Sequence, residues 1–256
     1  MKILAVGDIV GNNGVTYLNK IVPDLKQKEN IDFIIVNGEN AAEGMGITER
    51  NFKDILSCGT NVVTMGNHTW GKKDIFNFID HPKLIRPANY SEGVVGKGYV
   101  ITECKGKKIA VINLIGRVDM NVLSENPFIV INNIIEKIKN SVDIIVVDFH
   151  AEATAEKIAM ANYLDGKVTA IFGTHTHVQT ADERILPKGT AYITDIGMTG
   201  PINSVIGMDI KASIKRFETT LPERYKIADG KSKFNGCIFE IDETNCKVTK
   251  ISRINL

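Results

Sequence analysis

Seven side chains of the types that bind transition-metal ions follow directly after apolar segments of this sequence. They are two carboxylates, two asparagines and three histidines: Asp8, Glu39, Asn40, Asn67, His150, His175 and His177. Carboxylate oxygens can bridge two cations, imidazole nitrogens suit Fe, Mn, Zn or Co, and asparagine oxygens can complete a coordination shell. The sequence has five histidines, and three of them belong to this set. The pattern predicts a site for divalent transition-metal ions.

Six apolar segments that precede these residues or alternate with them are predicted to be β-strands. They are residues 2–6, 32–37, 61–65, 108–114, 143–147 and 168–172. Helical periodicity is found in residues 15–27, 48–57, 127–140 and 152–164. Strands that alternate with helices predict a largely parallel sheet, in which ligands bind beyond the carboxyl ends of the strands. Any one of the seven side chains could be a helix cap or a surface group, so the metal-site prediction depends on their shared placement.

The last third of the sequence has a different pattern. Residues 190–194, 236–241 and 247–254 are predicted to be strands that pair antiparallel, the last two as a hairpin. Residues 198–233 are rich in glycine and charge without clear periodicity, and we interpret them as a surface excursion from a single domain spanning residues 1–256. The predicted fold class is α/β, a layered sheet sandwich flanked by helices with a mostly parallel core and antiparallel C-terminal strands.

The charge and hydropathy of the chain argue against several partners. The 31 basic and 30 acidic residues give a net charge of +1, so no overall field attracts DNA or a membrane surface. We find neither a signal-peptide pattern at the start nor an apolar run long enough to span a bilayer, and we therefore expect a cytoplasmic protein. The four cysteines are dispersed and are expected to be free thiols.

The motifs around the seven residues occur in a fixed order: Gly-Asp, Gly-Glu-Asn, Gly-Asn-His, a single His, and Gly-Thr-His-Thr-His. The longer segments are GDIVG at 7–11, NGENAAEGMGIT at 37–48, GNHTW at 66–70 and GTHTHVQTADERILPKGTAYITDIGMTGP at 173–201. In this order they resemble the calcineurin-like metallophosphoesterases, and more closely their YmdB-type branch of cyclic-nucleotide phosphodiesterases. The resemblance covers most of the chain and implies the layered metallophosphoesterase fold.

The chain departs from the general pattern of that superfamily at two places. Val10 stands where a histidine usually follows the first aspartate, and Gly38-Glu39-Asn40 replaces the common Gly-Asp. The resemblance to the branch implies two metal sites that share Glu39, one completed by Asp8, Asn40 and His177 and the other by Asn67, His150 and His175. Because an amide oxygen is a harder and weaker ligand than imidazole, the metal stays open between Fe and Mn, with Zn as an alternative.

The resemblance also implies an activity. The expected reaction is hydrolysis of a phosphodiester, with 2′,3′-cyclic nucleotides as substrates, 3′,5′-cyclic nucleotides as lesser ones, and a metal-bridging hydroxide as the attacking group. His68 resembles the general acid of the family, although it could instead orient Asn67 or a metal-bound water. The resemblance further implies a homo-oligomer.

Two other functions stay open at this point. The protein could be a nucleotide- or RNA-binding regulator with a structural or sensing metal site, or a phosphomonoesterase that acts on a small metabolite. Nothing in the residues themselves fixes the substrate, because base and sugar preference come from loop contacts.

Several further residues have both a functional and a structural interpretation. Trp70 could stack on a nucleobase or only pack. Arg86 and Asn89 could reach substrate oxygens, or Arg86 could pair with a surface carboxylate. Gly44, Gly46 and Thr48 could contact phosphate or form an ordinary loop before a helix, and His81 is interpreted as a surface residue.

Overall fold

The computed structural model describes residues 1–224 and 226–256. In these residues the helices are α1 Gly11–Glu29, α2 Glu49–Ser57, α3 Pro127–Ile138, α4 Thr154–Leu164 and α5 Ile210–Thr219, with a 3₁₀ turn at Lys73–Asn77. The strands are β1 Lys2–Val6, β2 Asp8–Ile9, β3 Phe33–Asn37, β4 Val62–Thr64, β5 Leu84–Ile85, β6 Tyr99–Cys104, β7 Lys107–Ile115, β8 Ile144–His150, β9 Ala170–Thr174, β10 Arg184–Ile185, β11 Ala191–Ile193, β12 Met198–Pro201, β13 Ser232–Lys233, β14 Asn235–Ile241 and β15 Val248–Asn255. None of the helices in this described part is long and apolar enough to cross a membrane.

Two six-stranded sheets form the centre of the molecule. The first has the order β15-β14-β1-β3-β4-β5 and the second the order β10-β11-β9-β8-β7-β6. Pairing is parallel from β1 to β5 and among β7, β8, β9 and β11. It is antiparallel where the hairpin β14–β15 joins β1 and where β6 joins β7. The predicted α/β class, parallel core and C-terminal hairpin are therefore confirmed.

The alternation of side chains along the strands produces four layers. On β1, Ile3 and Ala5 belong to the apolar layer between the two sheets, together with residues of β7, β8 and β9. Leu4 and Val6 belong to the opposite layer, where α1 and α2 cover the first sheet. The helices α3 and α4 cover the second sheet in the same way. Because both faces of each sheet are buried, the inner strands are mostly apolar, and their polar residues lie toward the carboxyl ends of the strands.

The predicted helices correspond to α1 through α4, and a side chain caps the N-terminus of two of them. The side-chain oxygen of Thr48 accepts a hydrogen bond from Asn51 N at 3.2 Å, and that of Asn126 accepts one from Phe128 N at 3.0 Å. The prediction for residues 190–194 was wrong in part, since β11 pairs parallel with β9 and antiparallel only with the short β10. A strand of three residues carries too little pattern to predict its partner.

Residues 198–233 differ from one end to the other. The first four residues, Met198–Pro201, are buried and form β12, which pairs parallel with β2 so that Met198 is opposite Asp8. Further along lies α5, all of whose residues are at least partly exposed. The start of this segment is therefore paired with the strand that contains the predicted ligand Asp8, whereas α5 lies on the surface. The assignment of residues 1–256 to one domain stays a prediction.

Candidate metal centre

The two sheets bring the seven predicted ligands to one edge of the molecule. From the first sheet, Asp8 follows β1, Glu39 and Asn40 follow β3, and Asn67 follows β4. From the second sheet, His150 is the last residue of β8, and His175 and His177 follow β9. The site therefore forms where the carboxyl ends of strands from both sheets meet, as predicted for parallel sheets.

The ring nitrogen Nε2 of His150 lies at the centre of the group. It is 2.9 Å from Asn67 Oδ1, 3.0 Å from Glu39 Oε1 and 3.1 Å from His175 Nδ1. One ring nitrogen carries at most one proton, so it cannot satisfy three such neighbours by hydrogen bonding. Ligand atoms of Glu39, His150 and His175 all lie within 4.8 Å of one another. A cation among them would satisfy all of these atoms at once.

A second group adjoins the first through Glu39. Asn40 Nδ2 lies 3.1 Å from Glu39 Oε1 and 3.2 Å from His177 Nε2, which in turn is 3.8 Å from Asp8 Oδ1. Asp8 is fully buried, and its Oδ1 has no hydrogen-bond partner within the described residues. A buried carboxylate oxygen without a partner is costly, and a bound cation would satisfy it. The donor set therefore fits a divalent metal ion on this side as well.

The charges of these groups are strongly coupled. Burial raises the pKa of Asp8 to about 6, although His177 and His150 oppose the shift. Burial also acts to raise the pKa of Glu39, but His150 and His68 outweigh it and hold that pKa below its usual range. Burial and the neighbouring His150 lower the pKa of His175 to about 3. His175 is thus a neutral imidazole with a free lone pair, which is the form that binds metals.

His68 lies at the mouth of the site. Its backbone N–H donates to Glu39 Oε2 at 3.0 Å, and its Nδ1 lies 2.7 Å from Asn40 Oδ1. An amide oxygen can only accept, so Nδ1 carries the proton and Nε2 is the nitrogen left for other contacts. Burial lowers the pKa of His68, while the charge of Glu39 opposes that shift.

Comparison with known proteins decides the family. A family model described as YmdB-like protein matches residues 4–254, which is nearly the whole chain. This chain belongs to the YmdB-like family. A Bacillus subtilis relative named 2′,3′-cyclic-nucleotide 2′-phosphodiesterase is 50% identical over 255 residues, covering 99% of this chain and 96% of the relative.

Solved structures agree with that assignment. A crystal structure of a Mycoplasma pneumoniae phosphatase has 39% sequence identity and a TM-score of 0.95, covering 100% of this chain and 93% of the other. A crystal structure of a protein from Thermus thermophilus has 35% identity and the same TM-score, covering 100% and 99%. This YmdB-like chain is a phosphodiesterase with the metallophosphoesterase fold. The enzyme class and the family that the sequence motifs predicted are therefore both confirmed.

Behind His150, a chain of hydrogen bonds that sequence reasoning did not include fixes its orientation in this YmdB-like site. His150 Nδ1 lies 2.9 Å from Thr174 Oγ1, which donates to Asp148 Oδ1 at 2.7 Å. Thr64 Oγ1 donates to the other carboxylate oxygen of Asp148 at 2.5 Å. Because Thr174 donates onward, its oxygen accepts the Nδ1 proton, and Nε2 of His150 faces the ligand group unprotonated when the ring is neutral. Asp148 and Thr174 could have been noticed as polar residues within otherwise apolar strands.

A buried ion pair holds the loop that carries His175 and His177. Lys157 Nζ, from α4, lies 2.8 Å from Asp195 Oδ2. The same oxygen accepts hydrogen bonds from Thr176 N at 3.1 Å and Thr176 Oγ1 at 2.7 Å. Thr176 stands between two histidines with positive φ, 98° at His175 and 64° at His177. Such backbone conformations cost free energy in non-glycine residues, so surrounding contacts must hold them.

The two loop histidines are also held through the nitrogens that face away from the site. His177 Nδ1 lies 2.8 Å from the carbonyl oxygen of Ile206, which leaves Nε2 for Asp8 and Asn40. His175 Nε2 lies 3.0 Å from Glu152 Oε2, which leaves Nδ1 for His150. A carbonyl or carboxylate behind a histidine in this way selects its tautomer and orients the ring toward a metal.

The residues with two interpretations are largely structural. Trp70 stacks on Phe76 with ring centroids 5.6 Å apart. Arg86 donates to the carbonyl oxygens of Val94 and Val95 among others, so its predicted reach to substrate, and equally a pairing with a surface carboxylate, was wrong. Asn89 bridges two backbone segments and bonds Ile115 through both its amide atoms.

The remaining residues singled out in the sequence lie in the loop before α2, beside a cavity, or, for His81, at a half-buried position and not free on the surface as predicted. Thr48 caps α2, and Gly46 adopts φ 80° against the backbone of Gly71 and Lys72, so both serve the loop itself. Gly44 lines a cavity beside the ligand group. His81 is half-buried and packs edge-on against Phe52.

Proposed function

We propose that this protein hydrolyses 2′,3′-cyclic nucleotides with the help of two divalent metal ions. The proposal rests on one observation: oxygen and nitrogen atoms of Asn67, Glu39 and His175 surround His150 Nε2. Beside them lies Asp8 Oδ1, which has no hydrogen-bond partner among the described residues. The substrate is taken from the 50% identical relative, whose name specifies 2′,3′-cyclic nucleotides and the 2′ ester. Cleavage of the 2′ ester by water would break the bond between phosphorus and O2′ and leave a 3′-nucleotide.

The residues fall into two overlapping ligand sets. Asp8, Glu39, Asn40 and His177 would hold one ion, and Glu39, Asn67, His150 and His175 the other. Asn40 now directs its amide nitrogen at Glu39 and His177 and its oxygen at His68, so a half-turn of the amide would present oxygen to the ion. The mixed oxygen and nitrogen set suits Fe or Mn, with Zn as an alternative. When bound, two such ions supply Lewis-acid stabilisation of the phosphate oxygens and activate water.

The side chains of this protein perform the remaining tasks. Glu39 is fully buried between the two sets and keeps its negative charge, which the two cations require. The groups behind His150, His175 and His177 keep one nitrogen of each ring directed at the site. After the half-turn of Asn40, its amide nitrogen would face and donate to His68 Nδ1, so the ring proton would lie on Nε2, from which His68 would donate it to the departing O2′.

The proposal is tested by assaying 2′,3′-cyclic AMP with added Mn²⁺ or Fe²⁺ and identifying the product by chromatography. We expect 3′-AMP. His68→Ala should lower kcat by about 10² to 10⁴ and leave metal content unchanged, since proton transfer contributes a factor of that size. Glu39→Gln should lose both activity and metal, measured by elemental analysis. Glu43→Gln is the matched control, because Glu43 lies in the same loop but pairs with Lys72 at the surface.

Three outcomes would contradict the proposal. Faster hydrolysis of phosphomonoesters would assign the site to a phosphatase. Tight binding of the cyclic nucleotide without turnover would favour a regulatory protein. Retention of two metal ions and full activity by Glu39→Gln would exclude Glu39 as the shared ligand.

The setting of the enzyme is also a proposal. We infer that the protein acts in the cytoplasm, without DNA or membrane partners, as a homo-oligomer. Exposed apolar side chains on and after α5, among them Ile214, Phe217 and Leu221, support a contact between copies. Light scattering would determine the mass in solution, and Phe217→Asp should reduce it to that of the 28.2 kDa monomer.

A further inference from the structure

A cavity of about 460 Å³ opens beside the ligand group. Metal-site residues and His68 line one part of it, and residues from three separate loops line the rest. The loop residues are Gly44, Met45, Asp119, Met120, Asn121, Val122, Ile206 and Met208. We call this part the methionine cleft, because three of the seven methionines of the chain line it.

The cleft is tethered to the ligand group on two sides. On one side, Gly44 N donates to the Asn40 carbonyl at 3.1 Å, and the Ile206 carbonyl accepts from His177. On the other side, Met120 Sδ accepts the backbone N–H of Glu152 at 3.1 Å, and Glu152 contacts His175. The cleft therefore has a fixed position relative to the place where a phosphate would bind.

The chemistry of the cleft differs from that of the ligand group. A phosphate diester is polar and small, and it needs neither apolar walls nor a cavity of this volume, which lies in the range typical of small-molecule sites. Methionine provides a polarisable, adaptable surface that packs favourably against aromatic rings. Met45 is 41% exposed, so its thioether is accessible to a ligand in the cavity.

We propose that the methionine cleft is the subsite for the nucleobase of the substrate, an inference that rests on the proposed function. Met45 and Met208 contact the face of the base. Asp119 and Asn121, which are exposed at the cleft, contact its edge. An ionised carboxylate only accepts hydrogen bonds. The one N–H donor on the pairing edge of uracil lies between two carbonyl oxygens that repel a carboxylate, so Asp119 favours bases with an exocyclic amino group.

The test measures binding, so it does not depend on turnover. Calorimetry on the Mn²⁺-loaded protein would compare 3′-AMP with ribose 3-phosphate, which carries the same phosphate and sugar without a base. We expect 3′-AMP to bind about tenfold more tightly or better, as contacts of two sulfur atoms with one ring would give. Met45→Ala and Met208→Ala should each reduce that ratio severalfold. Ile101→Ala is the control, because Ile101 is 40% exposed on β6 and should leave the ratio unchanged.

The second readout is base preference. Wild type should bind 3′-AMP more tightly than 3′-UMP, and Asp119→Asn should reduce that preference. Equal affinities for 3′-AMP and ribose 3-phosphate, or no binding of either, would overturn the subsite. A wild-type ratio in both methionine variants would do the same.

The two proposals can fail separately. Hydrolysis of 2′,3′-cyclic AMP together with an affinity ratio of one would reject the subsite and keep the phosphodiesterase. An affinity ratio of ten or more without hydrolysis would reject the cyclic substrate and keep the subsite.

Discussion

The buried pair of Lys157 and Asp195 makes a quantitative prediction possible. Their side chains are 1% and 0% exposed, and the contact is 2.8 Å long. Replacing Lys157 by methionine keeps most of the side-chain volume but removes the charge. Asp195 would then remain as a buried carboxylate whose remaining donors come from Thr176 and Gly197.

The expected cost follows from those contacts. Removing one partner of a buried ion pair destabilises proteins by about 3 to 5 kcal/mol, because the other charge stays buried without compensation. Three neutral donors remain for Asp195, so we expect a loss near the lower end, about 3 kcal/mol. That is a large fraction of the roughly 5 to 15 kcal/mol by which domains are stable. The double variant Lys157→Met/Asp195→Asn removes both charges and should recover part of this loss.

Urea unfolding of the metal-free protein at pH 7 measures these quantities without a contribution from bound metal. The free energies of unfolding of wild type, both single variants and the double variant form a thermodynamic cycle. Lys53→Met is the control, because its pair with Glu49 is exposed on α2 and should contribute about 0.5 kcal/mol or less. Calorimetry with Mn²⁺ should also show weaker binding to Lys157→Met, since Thr176 lies between two predicted ligands. A loss below about 1 kcal/mol would refute the reasoning.

Three further predictions follow from the same structure. Chelation of the metal should lower the midpoint of thermal unfolding by about 5 to 10 °C, as ligand linkage gives for free metal at 100 times its Kd. This shift should become smaller in Asp8→Asn, which loses a ligand of one of the two ions, and an unchanged shift would exclude Asp8 as a ligand. Burial raises the pKa of Tyr90 to about 12, against about 10 in an unfolded chain, so the contribution of Tyr90 to stability is complete below pH 10 and lost as the pH rises to 12. Tyr90→Phe should therefore flatten the dependence of the unfolding free energy on pH between pH 10 and 12. An unaltered slope would contradict the raised pKa of Tyr90. The four cysteines are free thiols in the described part of the chain, and Cys58 and Cys237 are buried. Brief iodoacetamide treatment of the folded protein, followed by mass spectrometry of its peptides, should therefore show Cys104 and Cys246 labelled before these two. Labelling of all four at one rate would contradict the burial of Cys58 and Cys237.

The sequence was most informative where a residue type and its place in an element agreed. His150 and Glu39 were predictable because each polar side chain follows an apolar strand, and strands of a parallel sheet end at one edge. Short elements were not predictable in this way. Residues of β2 and β12 form strands of two and four residues, too few for any periodicity, although their pairing places Asp8 opposite Met198.

The roles of residues whose partners are distant in the sequence could not be predicted either. Arg86 has the side chain of a phosphate-binding residue, and only the fold reveals that it donates to four backbone carbonyl oxygens, three of them eight to ten residues later. Asp148 stands two residues before His150, but its contact with Thr174 crosses between neighbouring strands. The sequence shows which residue types are present and how they are spaced, but only the folded chain shows which hydrogen bonds each side chain makes.

The groups behind the histidines bear on how a metal ion would be bound. Each of the three rings has one nitrogen engaged by Thr174, Glu152 or Ile206, so its orientation does not depend on an ion. The strained backbone at His175 and His177 is held by Asp195, which is itself held by Lys157. Because these contacts form when the chain folds, the loop is already ordered before an ion binds, and ordering it does not reduce the affinity for the metal. The same reasoning assigns the loss of affinity in Lys157→Met to the loop, since Lys157 belongs to neither ligand set.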